Sequence, residues 1–109
     1  MPDNVPQGAL TEAVFCILLS MLVPRHGYAV MQNIEKLTHG RVVLGAGTLY
    51  GAINTLLEKR WIGTVDAGRD LRKKEYVTTS IGRKVLQNEM VRLEELITIG
   101  HNEIGGKQA

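Results

Sequence analysis

Hydrophobic positions along the chain form four helix-like patterns, and a β-prone segment separates the third from the fourth. The first pattern runs from about Thr11 to Val23 and is apolar nearly all round, so this helix is expected to be covered on most sides. After the helix-breaking segment 24–27, apolar residues spaced by three or four predict a second helix that ends near Gly40. Residues 41–44 are expected to form the turn or short extended link to the third helix.

The third pattern predicts a helix with one buried face and one face suited to contact DNA. Its apolar residues stand at i, i+4, i+7 and i+8, namely Leu49, Ile53, Leu56 and Leu57. Its opposite face carries small or hydrogen-bonding residues, namely Thr48, Tyr50, Gly51, Asn54 and Thr55. No acidic residue interrupts that face before Glu58, so it can approach a base edge or a phosphate without like-charge repulsion. From this face alone, an ordinary amphipathic helix with a solvated polar side is an equal alternative.

Two short β-prone runs, residues 61–66 and 75–78, follow the third helix and predict an antiparallel hairpin. Their link sets a cluster of cations against one acid, Asp70. The cations of this link are Arg69, Arg72, Lys73 and Lys74. Such a run in isolation is typical of a solvated turn, but directly after a candidate recognition helix it favours contacts with backbone phosphates.

The fourth pattern begins at a capping Thr79 or Ser80 and continues to about Ile104. A helix of about 20 residues measures roughly 30 Å, which is longer than a small domain needs to close its core. We therefore expect this helix to pair across a two-fold axis with its copy and with the first helix. The alternative is that it lies along its own domain.

The predicted fold class is mainly α with a small two-stranded antiparallel β-wing, that is, a winged helix-turn-helix plus a C-terminal dimerisation helix. Residues 1–10 are expected to form a flexible arm and residues 11–79 the DNA-binding domain. Residues 80–104 would form the dimerisation helix and residues 105–109 a disordered tail.

Composition and charge agree with one small domain that binds nucleic acid. At 109 residues the chain has the length of a single domain, and its 5% aromatic content indicates an aliphatic core. The formal net charge is only +2. Residues 41–78, however, hold seven Lys or Arg against four acids, so the positive charge is concentrated in one segment.

Other classes of function have little support in the sequence. The single cysteine, Cys16, excludes an intrachain disulfide and fits a reducing cytoplasm, with buried packing favoured over a redox role. The apolar run 13–23 is too short to span a membrane. The three histidines are far apart and have no zinc-ligand spacing, so we expect no enzyme activity, no metal and no cofactor.

An ordered set of short motifs resembles the PadR family of bacterial transcription regulators over nearly the whole chain. The matching residues are His26-Gly27-Tyr28 with Met31; Gly47-Thr48-Leu49-Tyr50 with Ala52-Ile53 and Leu56; and Gly68-Arg69 with Arg72-Lys73-Lys74, Tyr76, Thr79 and Gly82. The resemblance implies a winged-helix homodimer that represses genes from palindromic operators in double-stranded DNA. It also implies release by a small hydrophobic or aromatic effector.

The resemblance implies a role for particular residues of this chain. Tyr50 resembles the family tyrosine that contacts a phosphate, the alternative being a tyrosine half-buried against the turn. Thr48, Gly51, Asn54 and Thr55 are then candidates for groove contacts, and the wing cations for positioning. Candidate dimerisation residues are Phe15, Leu18, Leu19, Leu22, Leu86, Met90, Leu93 and Ile97.

An effector site and a second class of function stay open. Six residues are candidates to line an effector cavity, although aromatic and Met residues at helical spacing are usually core: Phe15, Met21, Tyr28, Met31, Trp61 and Met90. The second class is a winged-helix module that binds a protein instead of DNA.

Two departures from the family pattern are expected to matter. Arg60 stands where the family often has glycine at the end of the third helix, so the turn into the wing is expected to differ and to add a cation near DNA. Thr78 replaces an apolar residue, which is expected to weaken the hydrophobic anchoring of the second wing strand.

Overall fold

The computed structural model describes residues 8–65 and 74–106, and these form a mainly helical fold with one small sheet. The elements are α1 (Glu12–Ser20), α2 (Gly27–Leu37), α3 (Ala46–Glu58), β1 (Ile62–Val65), β2 (Glu75–Thr78) and α4 (Ser80–Gly105). The strands pair antiparallel with Ile62 opposite Thr78 and Val65 opposite Glu75. The predicted fold class, mainly α with a small two-stranded antiparallel β-wing, is therefore confirmed.

The first helix ends at Ser20, three residues earlier than the apolar pattern predicts. Its last turn is closed by the second wing strand, because the Thr78 hydroxyl donates to Leu18 O at 2.8 Å and the Thr78 amide donates to Met21 O at 2.7 Å. Carbonyl groups at a helix end have no partner within the helix, so these two bonds satisfy groups that would otherwise be buried unpaired. The sequence leads us to expect that Thr78 weakens the hydrophobic anchoring of β2; in the structure its hydroxyl and amide anchor β2 to α1 by hydrogen bonds.

Helices α2 and α3 pack against each other and are joined by an ordered link. At the end of α2, His39 and Gly40 both have positive φ, 53° and 80°, while the Gly40 amide bonds Glu35 O and the His39 amide bonds Lys36 O. These two bonds are the pattern of a Schellman turn. The Thr38 hydroxyl then accepts from the Val42 amide at 3.0 Å and fixes the direction of the link.

The core lies where α1, α2, α3, β1 and the first half of α4 meet. Its fully buried hydrophobic side chains are Ile17, Leu18, Met21, Val30, Ile34, Leu49, Ile53 and Leu56. Each buried side chain of this size stabilises the fold by about 1.5–3 kcal/mol relative to exposure. The core therefore fixes the angle between the two helices of the helix-turn-helix pair.

Helix α4 closes the core with its first three turns only. Thr79 caps it by accepting from the Gly82 amide at 3.1 Å. Gly82 lies against the backbone of Trp61, where a Cβ would meet the Trp61 carbonyl oxygen and would stand 2.7 Å from Thr78 Cγ2. Val85 and Leu86 reach the core one turn later.

A buried carboxylate marks the end of the covered part of α4. Glu89 is 2% exposed and accepts two hydrogen bonds from Arg92, at 2.8 and 2.6 Å, and one from the Leu10 amide at 3.2 Å. Bonding to Arg92 lowers the pKa of Glu89, and the Leu10 amide acts in the same direction. The segment before α1 is thereby tied to the middle of α4.

None of the helices within the described ranges combines the length and apolarity that crossing a membrane requires.

Candidate nucleic-acid interface

The outer face of α3 is exposed and free of acidic side chains through Leu57. Leu49, Ile53 and Leu56 hold the inner face in the core. All five predicted contact residues are classed as exposed: Thr48, Tyr50, Gly51, Asn54 and Thr55. The helix therefore presents small and polar groups along one side of its rigid backbone.

Two of these groups have defined hydrogen-bond capacity. The Thr55 hydroxyl donates to Gly51 O at 3.3 Å, which leaves its lone pairs able to accept hydrogen bonds. Asn54 makes no side-chain hydrogen bond to the described residues, so both ends of its amide are available to a base edge.

Tyr50 is 43% exposed and lies across the start of α2. A Cβ at Gly27 would stand 2.6 Å from Tyr50 Cζ and closer still to its hydroxyl oxygen. The pKa of Tyr76 on β2 is raised by burial and, to a lesser degree, by Tyr50. The side chain is therefore half-buried against the turn while its remainder faces solvent, a geometry that leaves both predicted roles in place.

The two helices of the pair begin without a side-chain cap, unlike the other two described helices. Thr11 and Thr79 cap α1 and α4. The N-cap residues of α2 and α3 are His26 and Gly45, and neither contributes a side-chain cap hydrogen bond. Free amide groups at a helix start carry partial positive charge that favours an anion.

The wing sheet gains a third strand segment at Arg25. The Arg25 amide donates to Tyr76 O at 3.1 Å, and the Tyr76 amide donates to Arg25 O at 2.8 Å. This bridge holds the entry to α2 against β2. Lys74 is exposed directly before β2, whereas the predicted contact residues Arg69, Arg72 and Lys73 lie outside the described residues.

The turn from α3 into the wing has the same hydrogen bonds as the end of α2. The Trp61 amide bonds Leu56 O and the Arg60 amide bonds Leu57 O, with Arg60 at φ 63°. Arg60 thus adopts in this turn the left-handed conformation that glycine prefers. The Nζ of Lys59 lies 5.1 Å from the Trp61 ring centroid, a cation–π distance. Both Lys59 and Arg60 are exposed beside the start of the wing.

The predicted dimerisation residues fall into three groups by burial. Leu18 and Leu86 are buried in the core of the single chain. Half-buried are Phe15, Leu19, Leu22 and Leu93. Met90 and Ile97 are exposed on α4.

The six candidate effector-lining residues do not share one environment. Met21 is fully buried in the core, and Phe15, Met31 and Trp61 are half-buried and pack against it. Tyr28 and Met90 are exposed, so a single described chain does not gather the six around one cavity. Cys16 is buried, and burial raises the pKa of its thiol. Within the described ranges no group of three or more His, Cys, Asp or Glu could hold a metal.

Arg25, Gly27 and Lys59 belong to this surface but do not stand out as site residues in the sequence. Arg25 reads only as part of a helix break, because one pair of backbone hydrogen bonds leaves no periodic signal. Gly27 contributes by lacking a side chain. The short run from Pro24 to Tyr28 is the sequence feature that could have drawn attention to Arg25 and Gly27. In it, Arg25 and His26 precede a glycine and a tyrosine.

Known proteins support one family for this chain. The model of the transcriptional regulator PadR-like family matches residues 16–88, more than half of the chain. No curated protein sequence matches it.

Solved structures show the same fold at low identity. A transcriptional regulator from Clostridium thermocellum is 21% identical, with a TM-score of 0.69 over 84% of this chain and 90% of that one. A PadR family transcriptional regulator from Eggerthella lenta is 22% identical, with a TM-score of 0.65 over 84% and 76%. A PadR-like transcription factor from Bacteroides fragilis is 24% identical, with a TM-score of 0.63 over 82% and 86%.

Proposed function

The chain belongs to the PadR-like family of transcriptional regulators, and we propose that it is a repressor that binds a palindromic operator as a homodimer. Members of this family regulate transcription and are not enzymes. The observation that carries the proposal is the exposed, acid-free face of α3 beside a basic wing. In this role α3 lies in the major groove, and the wing follows the phosphate backbone.

The preference for a particular DNA sequence would come from the exposed face of α3. Asn54 can pair with adenine through both ends of its amide, and the methyl group of exposed Thr55 suits a thymine methyl. Gly51 lets the helix approach the groove floor closely. Thr48 lies one turn earlier, near the uncapped start of α3.

Affinity would come from cations that neutralise phosphates. The wing link supplies Arg69, Arg72, Lys73 and Lys74, and Lys59 and Arg60 flank it on the α3 side. Each phosphate neutralised lowers the logarithm of affinity by about 0.9 per tenfold increase in salt. These residues position the protein without reading sequence.

Dimerisation would use the second half of α4. Residues spaced alternately by four and three lie on one face of that helix: Gly82, Leu86, Glu89, Leu93, Leu96 and Gly100. The first three are buried in their own chain, while Leu96 and the flanking Ile97 are exposed by 48% and 58%. The apolar face therefore continues beyond the part that this chain covers, as expected for a helix that pairs with a second copy.

An effector would bind near this seam. Met90 is exposed on α4, and half-buried Phe15 lies on α1, which packs against α4. A second copy would bring further apolar side chains to the same place and could enclose a site for a small hydrophobic or aromatic molecule. The single tryptophan, Trp61, gives a fluorescence signal for a titration with such molecules. A panel of aromatic ligands that leaves both this signal and operator affinity unchanged would contradict this part of the proposal.

The decisive experiment is selection of bound sequences from a random duplex pool by the full chain. We expect an enriched palindrome with half-sites about 10 base pairs apart, because two recognition helices of a dimer meet the same groove one turn apart. Enrichment without symmetry would retain DNA binding and reject the dimeric operator. Absence of any duplex binding at low salt would favour the alternative, a winged-helix module that binds a protein.

Matched variants separate the affinity for any duplex from the preference for a particular sequence. Lys73→Ala with Lys74→Ala should weaken binding to all duplexes and reduce the salt slope by about two. Lys36→Ala removes an exposed cation at the end of α2, outside the proposed interface, and should leave both unchanged. Asn54→Ala should change the selected sequence at one position per half-site. An unchanged slope in the double variant would remove these lysines from the contacts.

A further inference from the structure

Gly27, the first residue of α2, lies directly beneath the side chain of Tyr50 on α3. A Cβ at this position would lie 2.6 Å from Tyr50 Cζ, 3.3 Å from Cε1 and nearest of all to the hydroxyl oxygen. Real side chains do not approach so closely. Gly27 has no left-handed φ, so its backbone would accept any L residue. Glycine is therefore required at this position for space and not for conformational freedom.

Tyr50 lies between α3 and the start of α2. It rises from the second turn of α3 and lies on the first residue of α2, and it is close enough to Tyr76 on β2 to raise the pKa of that side chain. Tyr76 is itself fixed by the backbone bridge to Arg25, two residues before Gly27. The Tyr50 ring thus has a defined position against Gly27, yet 43% of the residue remains exposed.

We propose that Gly27 is a positioning residue for DNA binding: by leaving room for the Tyr50 ring, it aims the Tyr50 hydroxyl at a backbone phosphate. The inference rests on the proposed function. A neutral hydroxyl donates a hydrogen bond to a phosphate oxygen, and such bonds fix register without reading sequence. A methyl group at position 27 would displace the ring from its seat and move the hydroxyl away from that phosphate.

Displacement of Tyr50 should leave the fold intact. The atoms that collide with the new methyl group are at the far end of an exposed side chain, which can turn toward solvent. Gly82 is the opposite case, because a Cβ there would meet the backbone carbonyl of Trp61. The effect of Gly27→Ala should therefore appear in DNA binding and not in the unfolding temperature.

Binding of the selected operator by five variants tests the proposal: Gly27→Ala, Tyr50→Phe, Tyr50→Ala, Gly27→Ala with Tyr50→Ala, and Gly105→Ala. We expect Gly27→Ala and Tyr50→Phe each to weaken binding about tenfold, the loss of one hydrogen bond to a charged group. The dependence of affinity on salt concentration should not change. Counterions are released when a charged side chain neutralises a phosphate, and the tyrosine hydroxyl carries no charge. Gly27→Ala should add nothing in the Tyr50→Ala background. Gly105→Ala should bind as the wild type, because a Cβ there has no described atom within 4 Å and lies on the face of α4 opposite Leu96.

Fluorine NMR reports directly on the position of the Tyr50 ring against Gly27. The chain has three tyrosines, so 3-fluorotyrosine labelling gives three signals, and Tyr50→Phe identifies one of them. Gly27→Ala should shift the Tyr50 signal and leave that of Tyr28 unchanged.

Three results would overturn the proposal. They are an unshifted Tyr50 signal, wild-type affinity of Gly27→Ala, and a further loss of affinity when Gly27→Ala is added to Tyr50→Ala. The last result would indicate distortion of the α2–α3 pair. If the wild type bound no duplex at all, the proposed function would fail instead, while the fluorine spectra would still decide whether Gly27 seats Tyr50.

Discussion

The two halves of α4 share one pattern and differ in what covers it. In the first half, Gly82, Leu86 and Glu89 are buried by the helix-turn-helix and the segment before α1. In the second half, Leu96 and Gly100 continue the same face, but Leu96 is 48% exposed. The hydrophobic pattern therefore indicates which face of the helix is buried, and only the structure indicates whether the covering residues come from the same chain.

The largest expected effect belongs to the covered half. Gly82→Ala should destabilise the protein by about 3 kcal/mol, because the new methyl group collides with a backbone carbonyl that cannot move without shifting β1. Thermal unfolding at several protein concentrations is the measurement. The loss should be independent of concentration.

Gly100 is the matched position in the uncovered half. A Cβ there has no described atom of its own chain within 4 Å. Any loss of stability in Gly100→Ala should therefore appear only at concentrations where the dimer forms. If Gly100→Ala destabilised the monomer as much as Gly82→Ala does, the second half of α4 would be covered by its own chain and would not differ from the first half.

The next effect concerns the exposed apolar face itself. Leu96→Asp should raise the dimer dissociation constant by about 100-fold, because a carboxylate would lose its water at the interface. Val91→Asp is the control, since Val91 is 64% exposed on the opposite side of α4. Size-exclusion chromatography over a dilution series separates the two. Equal effects of both variants on the dissociation constant would show that the Leu96 face of α4 is not the dimer interface.

Glu89 tests the boundary between the halves. Its folded pKa is depressed, so the stability that it contributes is present at neutral pH and is lost as pH falls through the folded pKa. Glu89→Gln should cost about 1–2 kcal/mol at pH 7 and reduce the acid dependence below about pH 4. Denaturant unfolding from pH 3 to pH 7 checks both, and an unchanged pH profile would contradict the role of the Arg92 bond.

Thr78 tests how the covered half is anchored. Thr78→Val should cost about 1–2 kcal/mol, because it leaves the buried Leu18 carbonyl without its donor. Thr64→Val, at an exposed position of the paired strand, should stay within about 0.5 kcal/mol. A gain in stability on Thr78→Val would show that apolar packing dominates at this site.

The smallest effect is a gain. Arg60→Gly should stabilise the fold by about 0.5–1 kcal/mol, because it relieves a left-handed residue at the cost of some chain entropy. The same variant removes one cation beside the wing. Urea unfolding measures the first effect, and a loss of stability would show that Arg60 makes a contact that outweighs its strain.

Periodic features of the fold could be predicted from the sequence, and single contacts could not. The helices, the hairpin and the length of α4 follow from repeated apolar spacing. The end of α1 does not, since its apolar pattern continues past Ser20 while Thr78, 60 residues after Leu18, takes the carbonyl groups of its last turn.

The candidate site divides in the same way. The exposed α3 residues follow from the pattern, because each apolar position fixes what faces outward. Gly27 lies against Tyr50, and Arg25 bonds Tyr76; both partners lie far from them in sequence. Such contacts depend on how elements pack and leave no periodic signal in the chain.

Sedimentation equilibrium of the full chain, alone and with its selected duplex, tests the central claim most directly. The subunit mass is 12.0 kDa. We predict a species of about 24 kDa at micromolar concentration that binds one palindromic duplex per dimer. A mass of 12.0 kDa at every concentration, with subunits that bind half-sites independently, would contradict the account.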